Sequence, residues 1–534
     1  MASVPNLELL VGHPAGAALV QDYLAGRERA SELFGGAFGT LAAFRVRAEG
    51  IDARFDREAR RLASEAIIVP EGASRERLNR FVEDGGYLVT TGQQPALFGG
   101  PLYGVHKALT AVRLAEALEA ALDRPVLPLF WVASEDHDWA EANHADVVGV
   151  DNELHRVEVA APDPDVHPAL HRVRLGTALE SSVDEFLQLL PETDFSAEYF
   201  ALIRDAFQAG GTLPEGYHAT LQHLLGRFGL YFTDAAHPAL KRRSGDALLA
   251  ELDRSEELEA VLRATASAVE SAGYTLQVPI LEGGVNLFLE GPAGRERLYR
   301  EDGAFRLRSS GARLSADEVR SRFEADPSVL SPNVLLRPVV ESAVFPTLAY
   351  VGGPGEMAYF GQLRDYFEAH GVGMPVVFPR WAATPVEGKI RKVLAKFGMD
   401  VDGLSRPFHE IAGDIARDEM PEGVRSALGA LKGSIASGVG ELQKTTAGID
   451  PTLKGPVQHV RSQAFAALDD VERKIVLAIK REREIALGQL EKAQIHLYPH
   501  GKPVERVQSP FYFLTRYGSP LLDALHERFA VELT

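Results

Sequence analysis

The sequence predicts an α/β protein with an open parallel sheet, helical insertions and a separate helical hairpin. Two continuous apolar runs, YLVTT at 87–91 and PVLPLFWV at 125–132, flank a helical stretch from about 101 to 122. Such runs are typical of strands covered on both faces, and strand–helix–strand order at this length predicts a right-handed parallel βαβ unit. A third run, GVGMPVVFPR at 371–380, predicts a further strand of the same sheet.

The remainder of residues 1–384 is interpreted as helices and insertions around this sheet. Residues 16–85 have a charged, helical pattern and lead into the first predicted strand. The segment at about 145–345 mixes helix and strand patterns, and we expect it to be inserted into one open sheet. We therefore predict a single core over 1–384.

The segment 385–497 is predicted to form an antiparallel α-helical coiled coil. Its apolar side chains recur at helical spacing in two stretches joined near AGIDPTLKGP. The two stripes are Val424, Leu428, Leu431, Ile435 and Leu442, then Leu468, Val471, Ile475 and Ala478. Several glycines weaken the first helix, so we expect the hairpin to pack against a second copy of the chain, forming a homodimer. Residues 498–534 are expected to return to the core.

Composition excludes several classes of function. A net charge of −19 over 534 residues argues against a broad nucleic-acid or anionic-membrane surface. The absence of cysteine excludes disulfides, thiolate metal sites and a cysteine nucleophile. The N-terminus lacks a signal-peptide pattern, and no apolar run reaches the roughly 18 residues of a membrane span. The sequence predicts a cytoplasmic protein with no nucleic-acid or membrane partner.

Glycine-rich and polar segments follow the first two predicted strands. TGQQPALFGGPLYGVHK follows the first strand and SEDHDWAEANH follows the second. Because the carboxyl ends of parallel strands meet at the ligand-binding edge of a sheet, we expect these segments to lie together. Gly92, Gly99 and Gly100 would let backbone N–H groups approach a ligand, and the start of the next helix favours an anion. A simple turn is the alternative.

The acidic segment Glu135–Asp138 surrounds one imidazole, His137, with three carboxylates. This arrangement costs repulsion unless a cation, a proton or a ligand amine offsets it. It favours acid–base work for His137 and ammonium binding by a carboxylate, whereas helix capping by Ser134 or Asp136 is the alternative. His106 and His144 are further candidates, although both also fit ordinary core or surface histidines.

A third segment, AYVGGPGEMAYFGQLRDYF at 349–367, has a similar design. Its glycine loop at 352–355 leads into a helix that carries Glu356 and Tyr359. Neither a Walker A motif nor GxGxxG is present. Three such loops at one sheet edge nevertheless indicate a pocket for a nucleotide or an amino acid.

Five motifs occur in order along the chain: TGQQ, PLYGVHKA, FWVASEDHDWAEANH, VGGPGEMAYFGQL and LYPHGKPVERV. Together they resemble the cysteine-adding enzymes of bacillithiol biosynthesis. The resemblance implies a Rossmann-like core similar to class I aminoacyl-tRNA synthetases, and a coiled coil that mediates dimerisation. It also implies a ligase that joins cysteine to malyl-glucosamine by an amide bond. ATP or another nucleotide is the expected cofactor, and no metal is expected.

This reaction assigns roles to the candidate residues. Amide formation requires an activated carboxyl group and a neutral amine, which a nearby base promotes; the predicted catalytic residues are His137, Asp136 and His106. The cysteine ammonium is expected to pair with Asp136 or Asp138. The malyl carboxylate is expected to bind Arg337 or Arg380. The substrate-binding set is Gln93, Gln94, Tyr103, Lys107, Glu135, Asp138, Asn143, Arg337, Glu356, Tyr359 and Arg380, and the cofactor-binding set is Gly92, Gly99, Gly100, Gly353 and Gly355.

Two other functions fit parts of the sequence. A metal-dependent hydrolase would use His106, Asp136, His137 and His144, although no HExxH spacing supports it. A non-enzymatic coiled-coil scaffold is favoured if the glycine loops are only turns. The His-x-Gly-His signature of synthetases is also missing, and only His106 stands near its expected position.

Overall fold

The computed structural model describes residues 4–70, 75–161, 163 and 166–534. The strands in this part of the chain are β1 (Leu7–Gly12), β2 (Tyr87–Gln93), β3 (Val126–Val132), β4 (His144–Val148), β5 (Leu154–Glu158), β6 (Tyr231–Asp234), β7 (Gly284–Gly291), β8 (Gly294–Glu301), β9 (Ala304–Leu307), β10 (Arg313–Leu314), β11 (Leu330–Pro332), β12 (Thr347–Gly352), β13 (Val376–Pro379) and β14 (Ala382–Glu387).

The α-helices of the same residues are α1 (Ala18–Leu24), α2 (Glu28–Ser31), α3 (Leu41–Asp52), α4 (Arg57–Ser64), α5 (Arg75–Glu83), α6 (Tyr103–Leu122), α7 (Trp139–Ala142), α8 (Ala178–Leu189), α9 (Ser196–Ala206), α10 (Leu213–Leu225), α11 (Pro238–Arg243), α12 (Gly245–Asp253), α13 (Ser255–Ser271), α14 (Ala316–Ala325), α15 (Arg337–Val344), α16 (Pro354–Phe360), α17 (Arg364–Ala369), α18 (Gly388–Phe397), α19 (Phe408–Asp418), α20 (Glu422–Ala447), α21 (Lys454–Glu482), α22 (Glu484–Leu497), α23 (Phe511–Tyr517) and α24 (Pro520–Arg528).

The chain divides into two compact units at Pro385 and Val504. The first unit contains everything up to Pro385 together with Val504–Thr534, and the second is Val386–Pro503. The last 31 residues of the sequence therefore belong to the same unit as the sheet that precedes the helical hairpin.

A five-stranded parallel sheet forms the centre of the first unit, in the order β13-β12-β2-β3-β6. Strand β3 is buried along its whole length, as its continuous apolar run predicts. The chain proceeds outwards from β2 through β3 to β6, and later from β12 to β13 on the other side. The direction therefore reverses between β2 and β12, which is where open α/β sheets bind ligands.

The segment at about 145–345, which we expected to be an insertion, contributes a strand to the parallel sheet as well as separate elements. It supplies β6, an edge strand of the parallel sheet, whose four residues are too few to give a clear apolar run. It also forms all five strands of a second, antiparallel sheet, in the order β10-β9-β8-β7-β11. A separate antiparallel hairpin pairs β4 with β5.

The second unit contains the helical hairpin of α20 and α21, but its predicted seam is partly wrong. Leu431, Leu442 and Val471 are nearly half exposed, whereas Val439, Val457 and Val476 are buried. The hairpin is also joined by ion pairs of Lys432 with Asp469 and Glu472, at 3.0 and 2.9 Å. The apolar spacing within one helix does not show how the neighbouring helix is rotated about its own axis. This rotation decides which side chains of the two helices are in contact.

Candidate functional site

A cavity of about 540 Å³ opens at the carboxyl edge of the parallel sheet, within the first unit. The loops after β2, β3 and β12 all reach it, as the sequence predicts, and residues after β6 and β13 also contribute. The predicted residues that line it are Gly92, Gln93, Gln94, Tyr103, Lys107, Glu135, Asp136, His137, Arg337, Gly353, Gly355, Glu356, Tyr359 and Arg380. The topological reversal between β2 and β12 therefore brings separate segments to one concave site.

The antiparallel sheet forms a second wall of the cavity. Phe288 on β7, Arg295 and Arg297 on β8, and Pro332–Val334 after β11 line this wall. Arg295 and Arg297 are two residues apart, so their side chains leave the same face of the strand. Sequence reasoning missed both arginines, because the alternation in GRERLYRE indicates a strand but not the site that its charged face reaches.

Lys107 and Glu356 form a buried ion pair between α6 and α16, with 2.7 Å between Nζ and Oε2. Lys107 also donates to the Gly92 carbonyl and to Gln93 Oε1, so its ammonium has three acceptors. Glu356 accepts in addition from Tyr350 and from the Gly353 N–H. Burial alone would raise the pKa of Glu356, but the charge and hydrogen bond of Lys107 bring it below the ordinary value. The pair joins two of the predicted ligand-binding segments, and the charges of Lys107 and Glu356 cancel each other.

Arg337 is also matched by a carboxylate behind the cavity surface. Its Nη1 donates to Glu341 Oε2 at 2.7 Å, and Thr90 donates to the other oxygen of Glu341. The guanidinium lies over the rings of Trp131 and Tyr350, at 5.7 and 5.2 Å from their centroids. Arg337 therefore lines the cavity as the cation of an ion pair with Glu341.

The Glu135–Asp138 segment distributes its charges over different partners. Glu135 pairs with Lys241. Asp136 Oδ1 accepts from the backbone N–H groups of His137 and Asp138, and none of the described residues donates to Oδ2. Asp138 accepts from the Glu141 N–H and caps α7. Capping thus belongs to Asp138, which lies outside the cavity, and Asp136 is the carboxylate left open to a ligand.

His137 lines the cavity and contacts the antiparallel wall. Its Nδ1 is 3.1 Å from Arg295 Nη1, and its ring centroid is 5.4 Å from that of Phe288. Burial and the charge of Arg295 lower the pKa of His137, and the nearby Asp136 and Asp138 offset only part of this effect. The imidazole is therefore neutral at pH 7.

His106 lies outside the cavity, contrary to its predicted role beside the substrate. It is fully buried on α6 and its Nδ1 is 2.9 Å from Glu505 Oε2. Glu505 also accepts both Nη groups of Arg380, at 2.7 and 2.6 Å. Burial alone would raise the pKa of Glu505, but the hydrogen bonds from His106 and Arg380 lower it to about 2. The predicted clamp, Arg380, is thus held by this carboxylate in a bidentate pair.

Two family models match the chain over almost its whole length. Residues 8–381 match "Bacillithiol biosynthesis BshC, N-terminal Rossmann-like domain", and residues 383–532 match "Bacillithiol biosynthesis BshC, C-terminal coiled-coil domain". The chain belongs to the BshC family of bacillithiol biosynthesis. The family resemblance and the fold class predicted from the motifs are therefore confirmed.

Curated relatives of this BshC family member bear the name "Putative cysteine ligase BshC". The protein from Salinibacter ruber is 32% identical over 457 residues, which covers 85% of this chain and 82% of the relative. The protein from Heliobacterium modesticaldum is 32% identical over 479 residues, covering 88% and 86%. The protein from Geobacillus thermodenitrificans is 27% identical over 525 residues and covers 96% of both chains. The similarity thus extends over both units.

Three predicted residues of this BshC family member, Gly99, Gly100 and Asn143, lie outside the cavity, and Gly92 is also constrained by the packing of its strand. Gly92 lines the cavity, but an added Cβ would lie 2.9 Å from the Trp131 carbonyl of the adjacent strand. Gly99 and Gly100 are buried beside Thr220, Phe511 and Tyr217. Asn143 donates to the Val159 carbonyl near the β4–β5 hairpin. These packing contacts and hydrogen bonds account for the glycines and the asparagine at these positions without a bound ligand.

The four residues of the hydrolase alternative do not form a metal-binding group. His106 and His137 have different partners, and His144 Nδ1 lies 3.0 Å from the Ala140 carbonyl. Over the described ranges, no cluster of three or more histidine and acidic side chains is placed to hold a metal ion. No helix among the described residues is long and apolar enough to cross a membrane.

Proposed function

We propose that this chain catalyses the cysteine-adding step of bacillithiol biosynthesis. It joins cysteine to malyl-glucosamine through an amide bond, the reaction that the family resemblance implies. The names of the curated relatives support the cysteine ligase activity. The observation that carries the proposal is the charge of the cavity, which suits a small zwitterion beside a carboxylate-bearing sugar.

The antiparallel wall supplies the positive charge of two guanidinium groups, Arg295 and Arg297. Arg295 donates to Ser331 Oγ and to the Pro332 carbonyl, and Arg297 donates to the Val285 carbonyl. These acceptors are neutral, and neither arginine has an ion pair among the described residues. Arg295 and Arg297 therefore attract an anion, although the whole chain carries a net charge of −19.

The opposite requirement, a site for an ammonium group, is met by Asp136. Glu135 and Glu356 are each neutralised by a lysine, whereas Asp136 Oδ2 has no donor among the described residues. We assign the cysteine ammonium to Asp136 and the malyl carboxylate to the Arg297 side of the cavity. Charge-assisted hydrogen bonds of this kind orient both substrates.

We further propose that ATP or another nucleotide activates the cysteine carboxyl group. Amide formation from a free carboxylate needs such activation, because a carboxylate oxygen is a poor leaving group. The loops at the sheet edge, including Gly353 and Gly355, support this assignment by their position at the topological reversal. We test it by adding cysteine and malyl-glucosamine with and without ATP; equal product without any nucleotide contradicts this cofactor.

The function is tested in cells that lack the gene. Deletion should abolish bacillithiol and accumulate malyl-glucosamine, and the wild-type gene should restore the thiol, as measured by thiol labelling and chromatography. The double variant Asp136→Asn/His137→Ala should fail to restore it. The matched control is Asp151→Asn/His155→Gln, a partly exposed Asp–His pair between the β4–β5 turn and β5, which should restore it fully. Unchanged bacillithiol in the deletion strain contradicts the proposed function.

We also propose a homodimer formed through the coiled coil. Leu431, Leu442, Val471 and Leu477 leave a partly exposed apolar surface on the hairpin, which a second copy would cover. Deleting 400–490 with a short linker should convert dimer to monomer in light scattering, as should Leu431→Glu/Val471→Glu. The control Ser434→Glu, at an exposed polar position, should leave the mass unchanged. A deletion variant that stays dimeric contradicts this interface.

We place the reaction in the cytoplasm. Reduced cysteine persists where thiol-reducing systems operate, and these keep the cytosol reducing. A chain without cysteine forms no mixed disulfide with such a substrate. Cell fractionation followed by detection of the tagged chain tests the location, and recovery outside the cytosolic fraction contradicts it.

A further inference from the structure

The contact between His137 and Arg295 fixes which imidazole nitrogen carries the proton. A guanidinium has only donors and stays protonated in proteins, so Arg295 Nη1 donates across the 3.1 Å to His137 Nδ1. Nδ1 must therefore be unprotonated. Because the ring is neutral at pH 7, its single proton lies on Nε2.

The antiparallel wall holds Arg295 rigidly in this position. Its Nε donates to Ser331 Oγ at 2.8 Å, its Nη2 donates to the Pro332 carbonyl at 2.8 Å, and its guanidinium lies 4.0 Å from the Phe288 ring centroid. Residues of three strands, β7, β8 and β11, thus fix the guanidinium that contacts the imidazole of His137. Such support keeps a functional side chain in one geometry.

The other charged and titratable groups near His137 do not replace this contact. Asp136 Oδ1 is 3.7 Å from His137 Nδ1, which is beyond hydrogen-bond distance, and it already accepts two backbone N–H groups. Asp138 and His167 act on the ring only through their charges. In a histidine base, by contrast, a carboxylate usually accepts the Nδ1 proton and leaves Nε2 free to take one.

We propose that Arg295 is a positioning residue that fixes His137 as an Nε2–H hydrogen-bond donor to the acyl oxygen of the activated cysteine. This rests on the proposed amide formation and replaces the predicted role of His137 as a base. The amine nitrogen bonds to the acyl carbon, the bond from that carbon to the phosphate leaving group breaks with its electron pair, and the leaving group takes the amine proton. His137 stabilises the negative charge on the acyl oxygen during this step.

A comparison of two substitutions separates donor from base. Glutamine retains an N–H donor and an oxygen that Arg295 can reach, but it is not a base. His137→Gln should therefore lower kcat by less than about tenfold, whereas His137→Ala should lower it by about 10²-fold or more. Equal losses in both variants, with disappearance of the acid limb of the kcat/KM pH profile, would overturn the donor role.

A second measurement does not depend on activity. In protein labelled with ¹⁵N-histidine, the signals missing from His137→Gln identify this ring, and its two nitrogen shifts report the tautomer. We expect the Nε2–H form in the wild type and a mixture of tautomers with a higher pKa in Arg295→Gln. The matched control Arg297→Gln, on the same strand but without contact to His137, should keep the wild-type tautomer.

The two measurements distinguish the inference from the function on which it rests. An Nδ1–H tautomer in the wild type, or an unchanged ring in Arg295→Gln, overturns the positioning role whatever the activity. Absence of any amide product with the wild-type chain instead contradicts the proposed function, and the nitrogen shifts still decide what Arg295 does to His137.

Discussion

The two walls of the cavity use their charged residues in different ways. On the parallel-sheet side, Lys107, Arg337 and Arg380 are each paired with a glutamate. On the antiparallel side, Arg295 and Arg297 are held by neutral oxygens and by His137. A paired cation fixes the position of loops and helices, whereas a cation with neutral partners retains its field for a ligand.

This difference shows that a prominent motif need not contain the residues that meet the substrate charge. The long motifs after β2, β3 and β12 build the edge of the site and largely neutralise themselves. The attraction for an anion comes from β8, which has no recognisable motif. Substitutions on the two walls should consequently fail in different ways: loss of stability on the first and loss of substrate affinity on the second.

The largest effect should follow removal of a buried pair member from the parallel-sheet wall. Lys107→Met leaves Glu356 largely buried without its cation, and breaking such a pair costs about 3–5 kcal/mol of unfolding free energy. Urea denaturation of the full chain measures this cost. The control Arg113→Met removes a more exposed ion pair with Glu116 on the same helix, which should cost about 0–1 kcal/mol. Equal stability of both variants contradicts a supporting role for Lys107.

A second prediction for this wall concerns pH. The pKa of Glu505 is lowered from an ordinary 4.5 to about 2, so its ionised form stabilises the fold. This contribution, of the order of 3 kcal/mol, is complete above pH 4.5 and is lost as the pH falls towards 2. The free-energy difference between wild type and Glu505→Gln should therefore shrink between pH 5 and pH 3 in urea titrations.

The pH effect has a matched control in an exposed carboxylate. Glu83 is paired with Arg57 at the surface, at 2.6 Å, where solvent screens the interaction. Glu83→Gln should differ little from the wild type at every pH. A Glu505→Gln difference that stays constant from pH 5 to pH 3 would show that the His106–Glu505–Arg380 network does not depend on the ionised carboxylate.

The edge of the parallel sheet was predictable because its signals are local. Continuous apolar runs located β2 and β3, and strand direction then placed Gln93, Asp136 and Glu356 at one edge. The partners of these residues could not be predicted. Glu505 lies 399 positions from His106, and Arg295 lies 158 positions from His137, so only the tertiary fold reveals that one histidine faces a carboxylate and the other a guanidinium.

Arg297 offers the direct test of the antiparallel wall. Arg297→Gln removes a positive charge but keeps a polar side chain, so the KM for malyl-glucosamine should rise by about 10–100-fold, with a smaller change in kcat. Steady-state kinetics with the substrate varied measures both. Arg306→Gln, on strand β9 of the same sheet but outside the cavity, should leave KM unchanged. A similar KM for both variants would place anion binding elsewhere.

The smallest effect should come from Gly100, which the sequence predicts as a cofactor-binding residue. Its φ of 65° and ψ of −164° lie in a region that glycine alone adopts easily, and an added Cβ would lie 3.1 Å from Ala96. Gly100→Ala should cost about 1–3 kcal/mol of unfolding free energy without changing KM for any substrate or for ATP. Gly371→Ala is the matched control, since its φ of 65° is similar but nothing lies within 4 Å of the added Cβ; any excess loss at Gly100 measures packing and the more restricted backbone. A rise in KM for ATP at unchanged stability would instead show that Gly100 takes part in nucleotide binding. It would contradict a mainly structural role for the parallel-sheet wall.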